Sequence, residues 1–398
     1  MKLGILREEK VPVDKRTPFS PTQCKIIISD FPNLEIYVQS SKHRCFSDKE
    51  YISKGISVLD DISFCDILFG IKEVPVNNLI ANKTYFFFSH TIKKQEYNRE
   101  LLKKMIALNI RMIDYEVLKF NSGKRVLGFG RYAGIIGAYN GLLTYGLKTN
   151  LFDIKPAYLC NNRNEMDSQL KKVVLKNERM LVTGKGRVGK GILETLKKLN
   201  ITQVNVEDYL TKKFNYPIFL NIDVLDYNVR IDGKKSDFQD FIDNFMYYKS
   251  SFMKFVSKTN IFFAGHFYSR GAPYLFTRND VRSKDFNISV VADVSCDIDG
   301  PVATTIRASK ITNPIYGYNK ITESEDDFLK NDVIAVMAVD NLPCELPQDS
   351  SIDFGENLIK YIIPILDSNN LIIDRATICR DGDLTNNFEY LRDFVSKD

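Results

Sequence analysis

At 398 residues the chain is too long for one small core, and two domains are the expectation. With 44% hydrophobic and 26% charged residues it has the balance of a folded chain, which argues against disorder. The net charge of +5, from 55 basic and 50 acidic residues, is a mild excess. Doublets such as Lys93-Lys94 and Lys171-Lys172 read as solvated faces, so no nucleic-acid groove is expected, and no apolar run approaches the ~18 residues of a membrane span.

The chain opens with "MKLGILREEKVPVDKR", a short apolar strand followed by charges. It lacks the apolar core of a secretory signal, and a cytoplasmic protein is expected. The seven cysteines are scattered without C-x-x-C spacing and read as reduced thiols, with no metal site. Strands are predicted at "EIYVQS" (35–40), at "CDILFGIKEVP" (65–75, stopped by Pro75) and at "KTYFFFSH" (83–90). "NRELLKKMIALN" follows with Leu101, Met105 and Leu108 at helical spacing, and "IRMIDYEVL" returns to strand. This alternation points to a parallel sheet covered on both faces.

Two glycine-rich stretches come next. "GKRVLGFGRYAGIIG" (123–137) contains G-x-G-x-x-x-G with Arg131 inside. It runs into "GIIGAYNGLLTYG", where Gly134, Gly137, Ala138 and Gly141 fall at helical spacing. No acid-ended strand follows, so close packing is the favoured role; the spacing leaves a substrate role open. "RMLVTGKGRVGKGILETL" (179–196) carries a strict G-x-G-x-x-G at Gly184, Gly186 and Gly189, between a strand and a helix. Such glycines allow a tight turn and close approach of backbone to a pyrophosphate, which the helix N-terminus attracts. "TQVNVED" reads as a strand ending in acid. Its Glu207 lies about 20 residues on, where a carboxylate accepts from the ribose hydroxyls. That arrangement leans toward NAD, with NADP not excluded. "NIFFAGH" and "ISVVADVSCD" read as further strands. Residues 353–366 read as a helix with Leu358, Ile362 and Ile363 on one stripe. The fold class expected is α/β: two Rossmann-like domains with parallel sheets and an interdomain cleft.

Two residues of the first half suggest chemistry. Lys72 ends a buried apolar strand, where desolvation lowers an amine toward neutrality. His90 ends an aromatic strand, where parallel-sheet sites form. Either could move protons near pH 7, and either fits an ordinary structural role. Arg16 and Arg125 read as surface charges or as carboxylate clamps.

At these residues the chain resembles saccharopine dehydrogenase of the lysine-forming type and the lysine–ketoglutarate reductase domain, within the alanine dehydrogenase/transhydrogenase group. The resemblance runs through "REEKVPVDKRTPFSP", "GIKEVP", "FFFSHTIKKQ", "IDYEVL", "GKRVLGFGRYAGIIGA", "AGHFYSRGAPYLFT", "ADVSCDIDG" and "VDNLPCELPQDSSIDFGENLIKYIIPIL". It implies Lys72 as general base and His90 as its acid–base partner, with Glu73 and Glu116 tuning them. It implies Arg16, Gln95, Arg125 and Phe129 as substrate-binding residues. Arg187 and Val188 then join the three glycines in the nucleotide loop, Glu207 takes the ribose, and Asp293 and Asp297 face the nicotinamide end.

The resemblance also implies a discontinuous substrate domain, 1–138 with 340–398, around a dinucleotide domain, 139–339. The implied activity is NAD-dependent cleavage of saccharopine to lysine and 2-oxoglutarate, or the reverse condensation, by a monomer or homodimer. Alternatives are a dehydrogenase for another opine or for alanine, and a non-catalytic nucleotide-responsive binding protein. The chain departs from these relatives at His266, where they often carry asparagine and cysteine; a core or loop histidine is the favoured reading.

Overall fold

Short β-branched and aromatic runs, bounded by polar turns and amphipathic helices, form two eight-stranded sheets, each in its own compact unit. The computed structural model describes residues 1–368 and 370–396. The first unit is Met1–Phe129 with Pro347–Asp398; the second is Gly130–Leu346. The break falls at the first residue of the small-residue helix Gly130–Thr149, whereas the sequence reading set it at 138.

In the first unit the parallel strands are β1 (Lys2–Ile5), β2 (Glu35–Gln39), β3 (Ser57–Leu59), β4 (Ile67–Phe69), β5 (Thr84–Phe87) and β6 (Arg111–Asp114). Their spatial order, 6-5-4-1-2-3, is that of a doubly wound sheet, with the reversal between β1 and β4. Two late strands, β17 (Thr377–Arg380) and β18 (Asp383–Leu384), extend the β6 edge antiparallel. The C-terminal return fills both faces: Phe354, Leu358 and Ile362 join the core on one side, and Ile378, Leu384 and Phe388 that on the other.

The second unit holds β7 (Arg179–Thr183), β8 (Thr202–Gln203), β9 (Ile218–Ile222), a hairpin of β10 (Asn228–Arg230) and β11 (Tyr248–Ser250), then β12 (Ile261–Ala264), β13 (Val290–Asp293), β14 (Ile315–Asn319), β15 (Ser324–Asp326) and β16 (Val333–Met337). Its sheet order is 15-14-16-13-12-7-9-8. The strand expected across "TQVNVED" stops at Gln203, because Asn205 caps a new helix, Val206–Thr211, on which Glu207 sits exposed. β8 is therefore a two-residue edge strand, and β9 is the neighbour of β7.

The small-residue helix lies against the helix Arg187–Lys198 of the same unit. A Cβ on Gly134 would stand 2.0 Å from the Val188 carbonyl oxygen, and one on Gly191 would stand 2.1 Å from that of Arg131. The glycines at 134 and 191 thus let two backbones touch, which is what the first glycine-rich stretch is built for. Among the described residues no helix is long and apolar enough to cross a membrane.

Candidate active site

The ends of β1 and β4 meet at the reversal of the first sheet, where open α/β sheets place their ligands. The segment after β4 carries Lys72 and Glu73, and the segment after β5 carries His90. Lys72 lies beyond its strand, which ends at Phe69, and does not terminate it as the sequence suggested. Glu73 connects the cluster: Oε1 is 2.6 Å from His90 Nδ1, and Oε2 accepts from Lys10 Nζ at 2.7 Å. Burial opposes charge on Glu73, but the bonds from His90 and Lys10 outweigh it and hold the carboxyl at about 2. An ionised Glu73 favours the His90 tautomer with its proton on Nδ1. His90 itself stands in left-handed backbone, φ 55°.

Burial, helped by the Arg16 charge, lowers the Lys72 amine below its ordinary value, against the pull of Asp14 and Glu73. Such an amine gives up its proton more readily than an exposed lysine. Arg16 is buried and paired in a fork with Asp14, Nε to Oδ1 at 3.0 Å and Nη2 to Oδ2 at 2.6 Å. Its guanidinium lies 4.1 Å over the Phe129 ring, which is stacked on Phe354 at 4.6 Å. Glu116 receives Arg125 at 3.0 Å and faces Lys93 at 3.5 Å. Gln95 is exposed and accepts from the Tyr97 hydroxyl.

Four residues that the sequence did not single out build this site. Glu8 accepts from the backbone of Ile71 at 2.6 Å and of Lys72 at 2.9 Å, while burial pushes its carboxyl up to about 8. Lys10 and Asp14 are the partners of Glu73 and Arg16. Buried Asp114 accepts from the Ser89 amide and hydroxyl and from the Glu116 amide, fixing the loop that carries His90. Glu8, Lys10 and Asp14 lie inside "REEKVPVDKR", which reads locally as a charged loop. Only the pairing of β1 with β4 reveals what they face.

In the second unit Gly184 takes φ 92°, and a Cβ there would lie 2.4 Å from the Gly265 carbonyl oxygen. One on Gly189 would lie 1.9 Å from the Gly184 carbonyl oxygen, so the turn closes only on glycine. Gly186 caps the helix Arg187–Lys198 with no side-chain bond, and the space beside it is open. Arg187 and Val188 form the first helical residues, at a helix start that no side chain caps and whose position suits phosphates. These features fit a dinucleotide.

Asp293 is engaged within the second unit. It is fully buried, and it accepts from the Ser295 amide and hydroxyl, the Cys296 amide and the Thr305 hydroxyl. Three of those bonds anchor its own turn, and the fourth ties it to Thr305. Asp297, in the same loop, is half-buried, and burial with the nearby Asp293 raises it to about 6. His266 is buried, contacts the Thr183 hydroxyl at 2.8 Å through Nδ1, and is lowered by burial to about 4. It is a neutral core histidine at neutral pH. The acid beside the glycine loop is Asp223, directly after β9. Its signal was "IFLNID", a β-branched and aromatic run stopped by acid.

Comparison with known proteins agrees with this architecture. The "Alanine dehydrogenase/PNT, N-terminal domain" matches residues 4–136 and the "Alanine dehydrogenase/PNT, C-terminal domain" residues 154–387. The chain is 27% identical to the α-aminoadipic semialdehyde synthase of Arabidopsis thaliana over 98% of its own length but 41% of that protein's, so it spans less than half of this relative. It is 26% identical to the NAD⁺-dependent, L-lysine-forming saccharopine dehydrogenase of Schizosaccharomyces pombe, covering 92% of this chain and 93% of that one. Among solved structures an L-alanine dehydrogenase superimposes with a TM-score of 0.67 at 14% identity, over 99% of this chain and 100% of the other. A transhydrogenase from Sinorhizobium meliloti gives 0.56 at 12% identity, over 97% and 99%. With both of its domain types matched in order along one chain, the protein belongs to the alanine dehydrogenase/PNT family.

Proposed function

We propose that the chain is an NAD-dependent oxidoreductase of saccharopine, cleaving it to L-lysine and 2-oxoglutarate or forming it in reverse. The observation that carries the reading is the Lys72–Glu73–His90 cluster at the reversal of the first sheet, with Arg16 held beside it. A secondary amine must lose its proton before its carbon can give up hydride, and a desolvated lysine amine suits that step. A nicotinamide held at the glycine loop would supply the hydride acceptor. Water then adds to the substrate imine, and the resulting carbinolamine collapses to a ketone and an amine. Those steps need a proton taken and returned, which His90 Nε2 supplies while Glu73 holds Nδ1. Arg16 and Arg125, held here by Asp14 and Glu116, are the cations that would face the carboxylates of such a substrate. Gln95 adds a polar contact, and Phe129 holds the plane of Arg16.

The test is spectrophotometric. NADH oxidation is followed with 2-oxoglutarate and a panel of amines, and with pyruvate and ammonia. Turnover with lysine and 2-oxoglutarate supports the reading. Turnover with pyruvate and ammonia alone moves the protein to alanine, and flat traces throughout leave a binding protein.

A further inference from the structure

We propose that a polar cavity beside the start of β6 binds a phosphate group, free or as a small phosphate monoester. It lies in the first unit, at the end of the sheet opposite the Lys72–Glu73–His90 cluster. β6 runs from Arg111 to Asp114, and Asp114 holds the His90 loop, so Arg111 stands about 10 Å behind that anchor. The cavity measures about 430 Å³, and Asp374, Arg375, Arg380, Asn386 and Asn387 line it. That size suits a small ligand and exceeds what a bare ion fills.

The arginines here are short of negative charge. Arg111 opens β6, Arg375 belongs to the helix Leu371–Ala376, and Arg380 closes β17. Arg111 Nη2 and Arg380 Nη1 lie 3.3 Å and 3.6 Å from the same Asp374 oxygen, Oδ1, so two guanidiniums share one carboxylate. Arg111 Nε is buried without a hydrogen-bond partner among the described residues. Burial and the nearby Arg380 charge lower the Arg111 guanidinium, against the pull of Asp374 and Asp381. Arg380 reaches a second carboxylate only in Asp381, 4.0 Å away and 92% exposed, a pair worth little in water. Arg375 donates to a neutral group, Asn121 Oδ1, at 2.8 Å. One incoming anion would balance all three. A planar carboxylate pairs best with one guanidinium fork, whereas a tetrahedral phosphate accepts from several directions. Guanidiniums carried by three separate elements therefore suit a phosphate, and Asn386 and Asn387 add neutral donors to the cavity wall.

The test is calorimetric titration of the full chain, with no turnover needed. Sodium phosphate and glucose 6-phosphate are titrated separately, at an ionic strength held constant with sodium chloride. Both are expected to bind, the sugar phosphate tighter; equal or reversed affinities identify free phosphate as the ligand. Arg375→Gln and Arg380→Gln each remove one exposed guanidinium and are expected to weaken binding about 10- to 100-fold, the worth of a charged hydrogen bond. Phosphate held at the glycine loop would be insensitive to both variants, because that loop belongs to the second unit. Thermal melts without phosphate check folding, and if one variant melts early the other decides. Heats no larger than those of sodium chloride alone overturn the inference, as does unchanged affinity in a folded variant.

Discussion

Glu73 and His90, from the ends of adjacent parallel strands, share a 2.6 Å contact that fixes the imidazole proton on Nδ1. The acid lies next to Lys72 in sequence, so one short segment carries both the proposed base and the carboxylate that contacts His90. Replacing Glu73 by Ala is expected to lower kcat/KM about 10- to 100-fold, as loss of an orienting carboxylate does at other histidine sites. Glu73→Gln, which can still bond the ring, is expected to recover part of that loss. Equal kcat/KM for the two variants would count against an orienting role.

Lys72→Met separates chemistry from stability. Activity is expected to fall by about 10²- to 10⁴-fold, the range of general acid–base catalysis. The melting temperature is expected to hold or rise, because the native amine is already destabilised in its charged form by burial. Matched melts and initial rates decide; full activity in the variant removes Lys72 from the mechanism.

The buried Asp14–Arg16 pair predicts a response to acid. Burial raises Asp14, but Arg16 more than offsets it and holds the carboxyl at about 2, below its ordinary 3.8. Its contribution is therefore complete above pH 3.8 and lost as the pH falls through about 2. Asp14→Asn breaks a buried ion pair and is expected to cost about 3–5 kcal/mol in urea unfolding at neutral pH. A loss below ~1 kcal/mol, the scale of a surface pair, would show that the pair is not buried in solution.

His266 sets a second window. Its folded value of about 4 lies below the ordinary 6.5, so the unfolded chain binds the extra proton. Stability is present above pH 6.5 and declines as the pH falls toward 4, by roughly 3 kcal/mol at most for this group. His266→Gln is expected to flatten unfolding free energy across that interval. An unchanged slope would assign the acid response elsewhere.

The glycines divide by role. Gly134→Ala drives a Cβ into the Val188 carbonyl and is expected to cost about 1–3 kcal/mol. Gly186→Ala meets no neighbour within 4 Å and is expected to keep its melting temperature while weakening dinucleotide binding. Similar melting losses in both variants would end this distinction.

Most of the parallel strands of the first unit were legible because short apolar runs alternate with stretches of helical spacing. The identities of Lys72, Glu73 and His90 were legible as residues, but their mutual geometry was not. It depends on β4 and β5 being neighbours, which no local pattern states. The surroundings of Glu207 were hidden for the same reason: β8, the strand before it, lies at the sheet edge, with β9 between it and β7. Asp293 was legible by position, but not the three hydrogen bonds from its own turn and the one from Thr305 that its carboxylate accepts.

The C-terminal return has a consequence for synthesis. Every residue of the second unit leaves the ribosome before Pro347, whereas the first sheet waits for β17 and β18. Until then the nascent first half lacks Phe354, Leu358, Ile378 and Leu384 from its two cores. The later-made domain is thus the first able to complete its fold, and the earlier half waits for β17 and β18.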